Sequence, residues 1–336
     1  MKETVRQPKN AWLVAVAIGG IAVAYFYLLG KSDFPEPGLN IEYNIEAFED
    51  LDKIETNYVE KEPIALDLVE PRAMAVVAGK LYVAGNNTVA IYGENGERTA
   101  EYAFEGVPTS IGADPDGTIF VGLKNKICVL DANGVKQTEW TEFTPRSYIT
   151  AIATSGPDVF VADAGKRVVM RLDRNGKVQT EIGKKDLDRD VPGLEAPSPY
   201  LDLALNADGD LWVVNPGKLG LEQYRSDGSI VTSWYRPTVL ELDGFPGCCN
   251  PTHIAFTSKG DLITSEKGLV RLKKFEVTSG EFNGLVVGSA LFPKEQSVRD
   301  IAVDSRDRIL VLDAKQKSVR IFALKETVDG STTQPA

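Results

Sequence analysis

From residue 70 to residue 322 the chain alternates between short apolar runs and tight polar turns. Runs such as LYVAG (81–85), VFVAD (159–163), LWVVN (211–215) and ILVLD (309–313) are rich in Val, Ile, Leu and aromatics and bounded by turn residues. That pattern predicts buried β-strands, since each run is too short for a helix. The pattern repeats. Each unit reads as an apolar strand, a tight turn, a second strand ending in a small or acidic residue, a third strand, an Asn-Gly-like turn and a fourth strand. Copies lie at 73–96, 110–134, 151–176, 202–228, 253–280 and 300–322. They start about 37 to 51 residues apart, the spacing of propeller blades with four strands each.

Turn chemistry agrees. Asp116-Gly117, Asp208-Gly209 and Lys259-Gly260 separate first from second strands. Asn95-Gly96, Asn133-Gly134, Asn175-Gly176 and Asp227-Gly228 separate third from fourth. Such pairs tolerate the positive φ that two-residue hairpins need. The last copy stops at Ile321-Phe322, before a polar tail, so its blade lacks an outer strand. The segment 56–68 is expected to supply it, because an open edge would otherwise remain. The expected fold is all-β: a six-bladed β-propeller with four-stranded blades, its ring closed by an N-terminal strand.

The N-terminus reads differently. Residues 11–30 (AWLVAVAIGGIAVAYFYLLG) carry no charge and no polar face. Twenty such residues match a bilayer core of about 30 Å at 1.5 Å per residue. Lys2, Arg6 and Lys9 precede the run, and Asp33, Glu36 and Glu42 follow it. The positive-inside rule then places the N-terminus in the cytoplasm. A cleaved signal peptide is the alternative, with Ala22-Val23-Ala24 as an A-x-A-like site, but apolar residues continue through Leu29. The expected organisation is a cytoplasmic segment 1–10, a transmembrane helix 11–30, an acidic spacer 31–55, a propeller 56–323 and a disordered tail 324–336. Ile45, Phe48, Leu51 and Ile54 predict a short helix near 44–55 in the spacer. The protein is expected to be single-pass in the cytoplasmic or inner membrane, with its propeller in the periplasm or outside the cell.

The pattern IAVDxxxxIxVxDxxxxxVxxF resembles the NHL-repeat family of six-bladed propellers. Residues 300–322 match it best and 151–172 match well. The resemblance covers about residues 70–322. It implies the fold more than any activity, because NHL-like propellers include scaffolds, ligand binders and enzymes. Val69-Glu70-Pro71 also resembles the Glu-Gly-Pro that opens gluconolactonase-like hydrolases, in which the glutamate is a metal ligand. The glycine is absent here.

Composition narrows the chemistry. A net charge of −11 argues against binding nucleic-acid phosphate. The single histidine, His253, restricts any His-dependent mechanism to one residue. Three cysteines exclude a disulfide framework. There is no phosphate-cradling Gly-rich loop, Cys-x-x-Cys zinc pair, haem-attachment motif or G-x-S-x-G elbow.

Three connections into inner strands are long: 183–199, 236–250 and 288–298. They mark the functional face. The residues opening the inner strands are Ala73, Ser110, Ala151, Asp202, His253 and Asp300. Asp202, His253 and Asp300 are expected at the channel mouth, where they could ligate a divalent metal or simply satisfy strand ends and water. Arg72 and Arg299, one residue earlier, could bind an anion there. Cys248-Cys249, with Asn250, directly precede the fifth blade. Outside the cytoplasm the pair is expected to form a vicinal disulfide; two thiolates on a soft metal, or one buried and one unpaired thiol, are the alternatives. Cys128 reads as a small core residue, and Asp163, Asn215, Glu266 and Asp313 as turn caps. The expectation is a membrane-anchored, extracytoplasmic binding or scaffold propeller. Its long-loop face would take a protein or small ligand through Arg72, Asp202, Cys248, Cys249, Asn250, His253, Arg299 and Asp300. The alternatives are a metal-dependent hydrolase or lyase, and a redox role for the cysteine pair.

Overall fold

A computed structural model describes residues 56–141, 143–238, 241–292 and 298–325. The expected anchor, the spacer with its helix and nearly all of the tail lie outside the described residues. Among the described residues no helix is long and apolar enough to cross a membrane.

The chain forms a six-bladed β-propeller, each blade a four-stranded antiparallel sheet. Blade 1 comprises Ala73–Val77, Lys80–Gly85, Thr88–Tyr92 and Arg98–Ala103, and blade 2 Ser110–Ala113, Ile119–Leu123, Lys126–Leu130 and Lys136–Trp140. Blade 3 comprises Ile149–Ser155, Asp158–Asp163, Val168–Leu172 and Val178–Ile182, and blade 4 Leu203–Leu205, Leu211–Asn215, Gly220–Tyr224 and Ile230–Tyr235. Blade 5 holds His253–Phe256, Leu262–Ser265, Leu272–Phe275 and Phe282–Val287. Blade 6 holds Val298–Val303, Ile309–Asp313 and Ser318–Leu324, and its outer strand is Tyr58–Ala65 from the other end of the chain. The expected ring closure is therefore present, with Tyr58 opposite Leu324 and Ala65 opposite Ser318. The last strand ends at Leu324, one residue past the expected boundary.

Second and third strands are apolar at successive positions because each blade is covered on both faces by its neighbours. Six apolar clusters result, one in each seam between adjacent blades, including the seam that joins blade 6 to blade 1. Outer strands meet solvent on their far edge and read polar, as in Arg98–Ala103. Turn glycines seat aromatics across these seams. A Cβ on Gly134 would lie 2.1 Å from the Tyr102 ring, and one on Gly176 would lie 2.4 Å from the Trp140 ring. Both glycines hold positive φ, so the turn and the seam make the same demand.

Backbone hydrogen bonds assign the faces. Turns between second and third strands bond to the connections that lead into blades: Asn86 N donates to Val69 O, Ile149 N to Lys124 O, and Gly217 N to Glu195 O. Both kinds of loop therefore share one face, on which the inner strands begin.

Candidate functional site

Ladder registers show that the six inner-strand openings are equivalent. Met74, Ile111, Ile152, Leu203, Ile254 and Ile301 lie opposite Val83, Val121, Val161, Val213, Thr264 and Val311. Ala73, Ser110, Ala151, Asp202, His253 and Asp300 each precede one of them, as the repeat alignment required.

The expected cluster assembles. His253 Nδ1 lies 3.8 Å from Asp202 Oδ2 and 3.8 Å from Asp300 Oδ1, too far for hydrogen bonds. The carboxylates are engaged elsewhere. Asp202 Oδ2 accepts from Ile254 N of blade 5 at 2.8 Å, and Asp300 Oδ2 accepts from Met74 N of blade 1 at 2.8 Å. Asp300 Oδ1 also accepts from Ile301 N. Each aspartate thus staples its blade to the next. Both carboxylates accept backbone donors, and among the described residues no group of three or more His, Cys, Asp or Glu side chains is placed to hold a metal ion. Glu70 does not turn toward the mouth as a ligand; it is exposed and pairs with Arg72 at 2.6 Å.

Burial sets the protonation states. It pushes the Asp300 carboxyl up to about 7, against the pull of its backbone donors. Burial, then the charge of Asp300, raises Asp202 well above the usual carboxylate range. Burial, then the Arg299 cation, lowers His253 to about 4. At neutral pH the mouth therefore presents a neutral imidazole beside carboxyl groups that retain protons far above their ordinary range.

Two cavities meet at this belt. Above it a mouth of about 150 Å³ takes residues from every blade, among them Arg72, Thr109, Tyr148, Tyr200, His253 and Arg299. Below it a channel of about 350 Å³ runs between the inner strands, lined mainly by aliphatic side chains together with Asp202 and Asp300. Among the described residues Arg299 has no hydrogen-bond or ion-pair partner. Tyr148 and Tyr200 were not legible in the sequence, since they sit in connections outside the repeat.

The long connections are held by one repeat position. The third-strand residues paired with Val83, Val121, Val161, Val213, Thr264 and Val311 are Ala90, Cys128, Met170, Glu222, Lys273 and Arg320. Blades 1 to 3 place a small or apolar residue there, Cys128 included, as expected. Blades 4 to 6, which follow the long connections, place a buried charge. Arg320 donates to Leu291 O at 2.9 Å, and Lys273 donates to Leu242 O at 3.0 Å and to Gly244 O. Glu222 accepts from Asn215 Nδ2 at 2.8 Å, and Asn215 Oδ1 accepts from Glu195 N. Each charge thus ties down the connection entering its own blade. Lining up the third strands would have exposed this signal.

The second-strand ends act as caps where expected. Asp163 Oδ1 accepts from Tyr148 N and Lys166 N, and Asp313 Oδ1 from Lys315 N and Gln316 N. Glu266 departs from the pattern: it is fully buried and pairs with Arg271 and Lys273, each at 2.7 Å.

Cys248, Cys249 and Asn250 line neither cavity. The vicinal disulfide is not formed. All three cysteines are free, with Cys248 exposed and Cys249 buried, and Cys249 holds φ 65. Adjacent thiols thus face opposite environments. Asn250 clamps the loop instead, donating to Pro246 O at 2.8 Å and accepting from Lys267 N at 2.9 Å.

With this geometry established, comparisons with known proteins bear on the fold. No protein-family model matches the chain, and no curated protein matches its sequence. Among solved structures it is similar to virginiamycin B lyase of Staphylococcus aureus, with 18% identity, a TM-score of 0.55, and coverage of 80% of this chain and 100% of that one. It is also similar to a catalytically inactive histidine-to-alanine form of that lyase with quinupristin, at 16% identity, TM-score 0.55, and coverage of 80% and 100%. The WD40 β-propeller domain of Doa1 aligns at 13% identity and TM-score 0.55, covering 81% of this chain and 99% of that one. At these identities the likeness is one of fold. A lyase and a WD40 domain share the architecture, so chemistry must be argued from the site.

Proposed function

We propose that the protein is a binding module whose working surface is the face carrying the long connections and the channel mouth. The observation that carries this reading is the mouth itself: a cavity lined from all six blades, with two arginines and two tyrosines at its rim, over carboxyls committed to stapling strands. Such a lining suits recognition, and among the described residues that line it no hydroxyl or thiol is hydrogen-bonded to a base. The reading includes an anchor at 11–30 that holds the propeller outside the cytoplasm, supported by the uncharged run and the preceding Lys2, Arg6 and Lys9.

A photo-crosslinking residue placed at Tyr148 or Tyr200, and separately at Asp131 or Asp227 on the opposite face, tests the reading in native cells. Adducts of defined mass from the mouth positions alone are expected. Adducts from the opposite face alone, or from neither, overturn it.

A second reading, acid–base catalysis at His253, is favoured by the neutral imidazole 3.8 Å from two carboxyl groups in a cavity. The lyase among the fold neighbours gives it a precedent of architecture. Turnover of an activated ester that disappears in His253→Ala while the folded spectrum stays unchanged would establish it; no turnover would remove it.

A further inference from the structure

The two faces of the ring differ in charge. On the mouth face, the turns between second and third strands carry Lys124, Lys166, Lys218, Lys267 and Lys315 in blades 2 to 6. On the opposite face, the remaining turns carry Asp116, Asp131, Asp173, Asp227 and Glu276, each accepting backbone N–H groups of its own turn. The mouth face thus mixes its lysines, of which Lys166 and Lys218 pair with Glu181 and Glu222, with acids such as Glu70, Asp186, Asp188, Asp190 and Asp243, whereas acids outnumber bases in the opposite turns. That distribution steers anionic partners toward the mouth.

The mouth face is also ringed by exposed apolar side chains. Val69, Val107, Tyr148, Leu187, Tyr235 and Leu291 stand one on, or at the start of, each connection leading into a blade, with exposures from 37% to 68%. Scattered apolar residues are ordinary on a surface; one on every connection makes an apolar rim to this face, of which Tyr148 lines the cavity itself. Lysines and rim aromatics adjoin. Lys218 Nζ lies 5.4 Å from the Tyr235 ring, and Lys267 Nζ lies 4.8 Å from the Tyr200 ring.

Size and charge then select the occupant. Small-molecule sites span about 300–1,000 Å³. The mouth, at about 150 Å³, falls below that range and has room for one side chain. Arg72 and Arg299 line it from adjacent blades; Arg72 already holds the exposed Glu70 carboxylate through Nη2, and the planar fork of Arg299 matches a second carboxylate. Asp186, Asp188 and Asp190 flank Leu187, so a partner's acids are confined to the Arg72 and Arg299 side of the face, a demand that a segment of chain meets and a uniformly anionic bilayer does not.

Building on the reading of this face as the binding surface, we infer that it docks an acidic polypeptide segment. One Asp or Glu side chain enters the mouth beside Arg72 and Arg299, and apolar neighbours in the segment lie on the rim.

The test uses the full chain in a non-ionic detergent and a fluorescent peptide alternating Glu with Leu, read by anisotropy. The peptide should bind, and its Gln-for-Glu version should bind about tenfold more weakly. Arg72→Ala with Arg299→Ala should weaken binding by at least about tenfold, while Asp131→Asn on the opposite face should leave it unchanged. Rising salt should weaken it further. Equal affinity for the Glu and Gln peptides, no peptide binding, displacement by millimolar free glutamate, or binding only to phosphatidylglycerol vesicles would each overturn the inference. Mouth-face crosslinks that persist without peptide binding would overturn this partner chemistry and leave the binding-face reading standing.

Discussion

Arg320 joins the closing strand to the ring and to a mouth-face connection, so its removal tests how the propeller holds together. Its Nε and Nη2 reach the two carboxylate oxygens of Glu60 at 2.7 and 2.8 Å, and Nη1 reaches Leu291 O at 2.9 Å. Its guanidinium also lies 4.5 Å from the centre of the Phe292 ring. The Arg320 side chain is 5% exposed and that of Glu60 33%, so the pair falls between surface and buried limits. Exposed pairs contribute about 0.2–1 kcal/mol, and breaking a buried pair costs about 3–5 kcal/mol. An intermediate value of about 2 kcal/mol fits this fork. The orphaned Leu291 carbonyl adds about 1 kcal/mol, and the lost cation–π contact is offset by methionine packing on the same rings. Arg320→Met is therefore expected to cost about 3 kcal/mol. For a domain of this size each kcal/mol moves Tm by about 2–4 °C, giving a fall of about 6–12 °C. The assay is thermal and urea unfolding of the wild type, Arg320→Met, Glu60→Gln and the double variant. The cycle should return a coupling energy of about 1–2 kcal/mol. Hydrogen exchange should quicken in 58–65 and around Leu291 and remain unchanged in blade 3. A coupling energy near zero, or a single variant within about 0.5 kcal/mol of wild type, would refute the reasoning.

Further outcomes follow from other sites. Gly176→Ala should destabilise by about 2–4 kcal/mol, because φ is +82 and the new Cβ would meet Trp140 at 2.4 Å; Gly209→Ala, at the same φ with open space around it, should cost about 1 kcal/mol, and equal costs in urea melts would discount the seam clash. Asp300 has a native pKa raised from 3.8 to about 7, so the native state binds its proton more tightly than the unfolded chain; its contribution is full below about 3.8 and is lost as pH climbs through about 7. His253, lowered from 6.5 to about 4, works the other way, its contribution fading as pH falls through that window. Stability measured at pH 5 and pH 8 should therefore differ less in Asp300→Asn than in His253→Gln, where the aspartate term stands unopposed, and the reverse order would contradict these assignments. Thiol titration should find one fast-reacting cysteine, Cys248, in the folded protein and all three after unfolding; only one thiol in the unfolded chain would mean that Cys248 and Cys249 are joined.

The repeat was legible because its cause is local. A strand buried on both faces must be apolar at successive positions, and a tight turn must tolerate positive φ, so both leave marks in the chain. Those marks gave the blades, the closing strand and the equivalence of Ala73, Ser110, Ala151, Asp202, His253 and Asp300. They also marked the long connections and placed Arg72 and Arg299 at the mouth. Whether Asp202 and Asp300 serve a ligand or the fold could not be read there. That depends on Ile254 N and Met74 N, which approach from neighbouring blades 52 and 226 residues away in sequence. Cys248 and Cys249 show the same limit: adjacency suggested a bond, and the backbone turn at Cys249 sends the two thiols to different environments. Tyr148, Tyr200 and the apolar rim lie in connections with no repeat to align, so only the closed ring gathers them on one face. The sequence by itself thus determined the architecture, because strand burial and turn geometry act over a few residues. The tertiary structure alone decided which polar groups hold blades together and which face outward, because a hydrogen-bond partner is chosen by position in space.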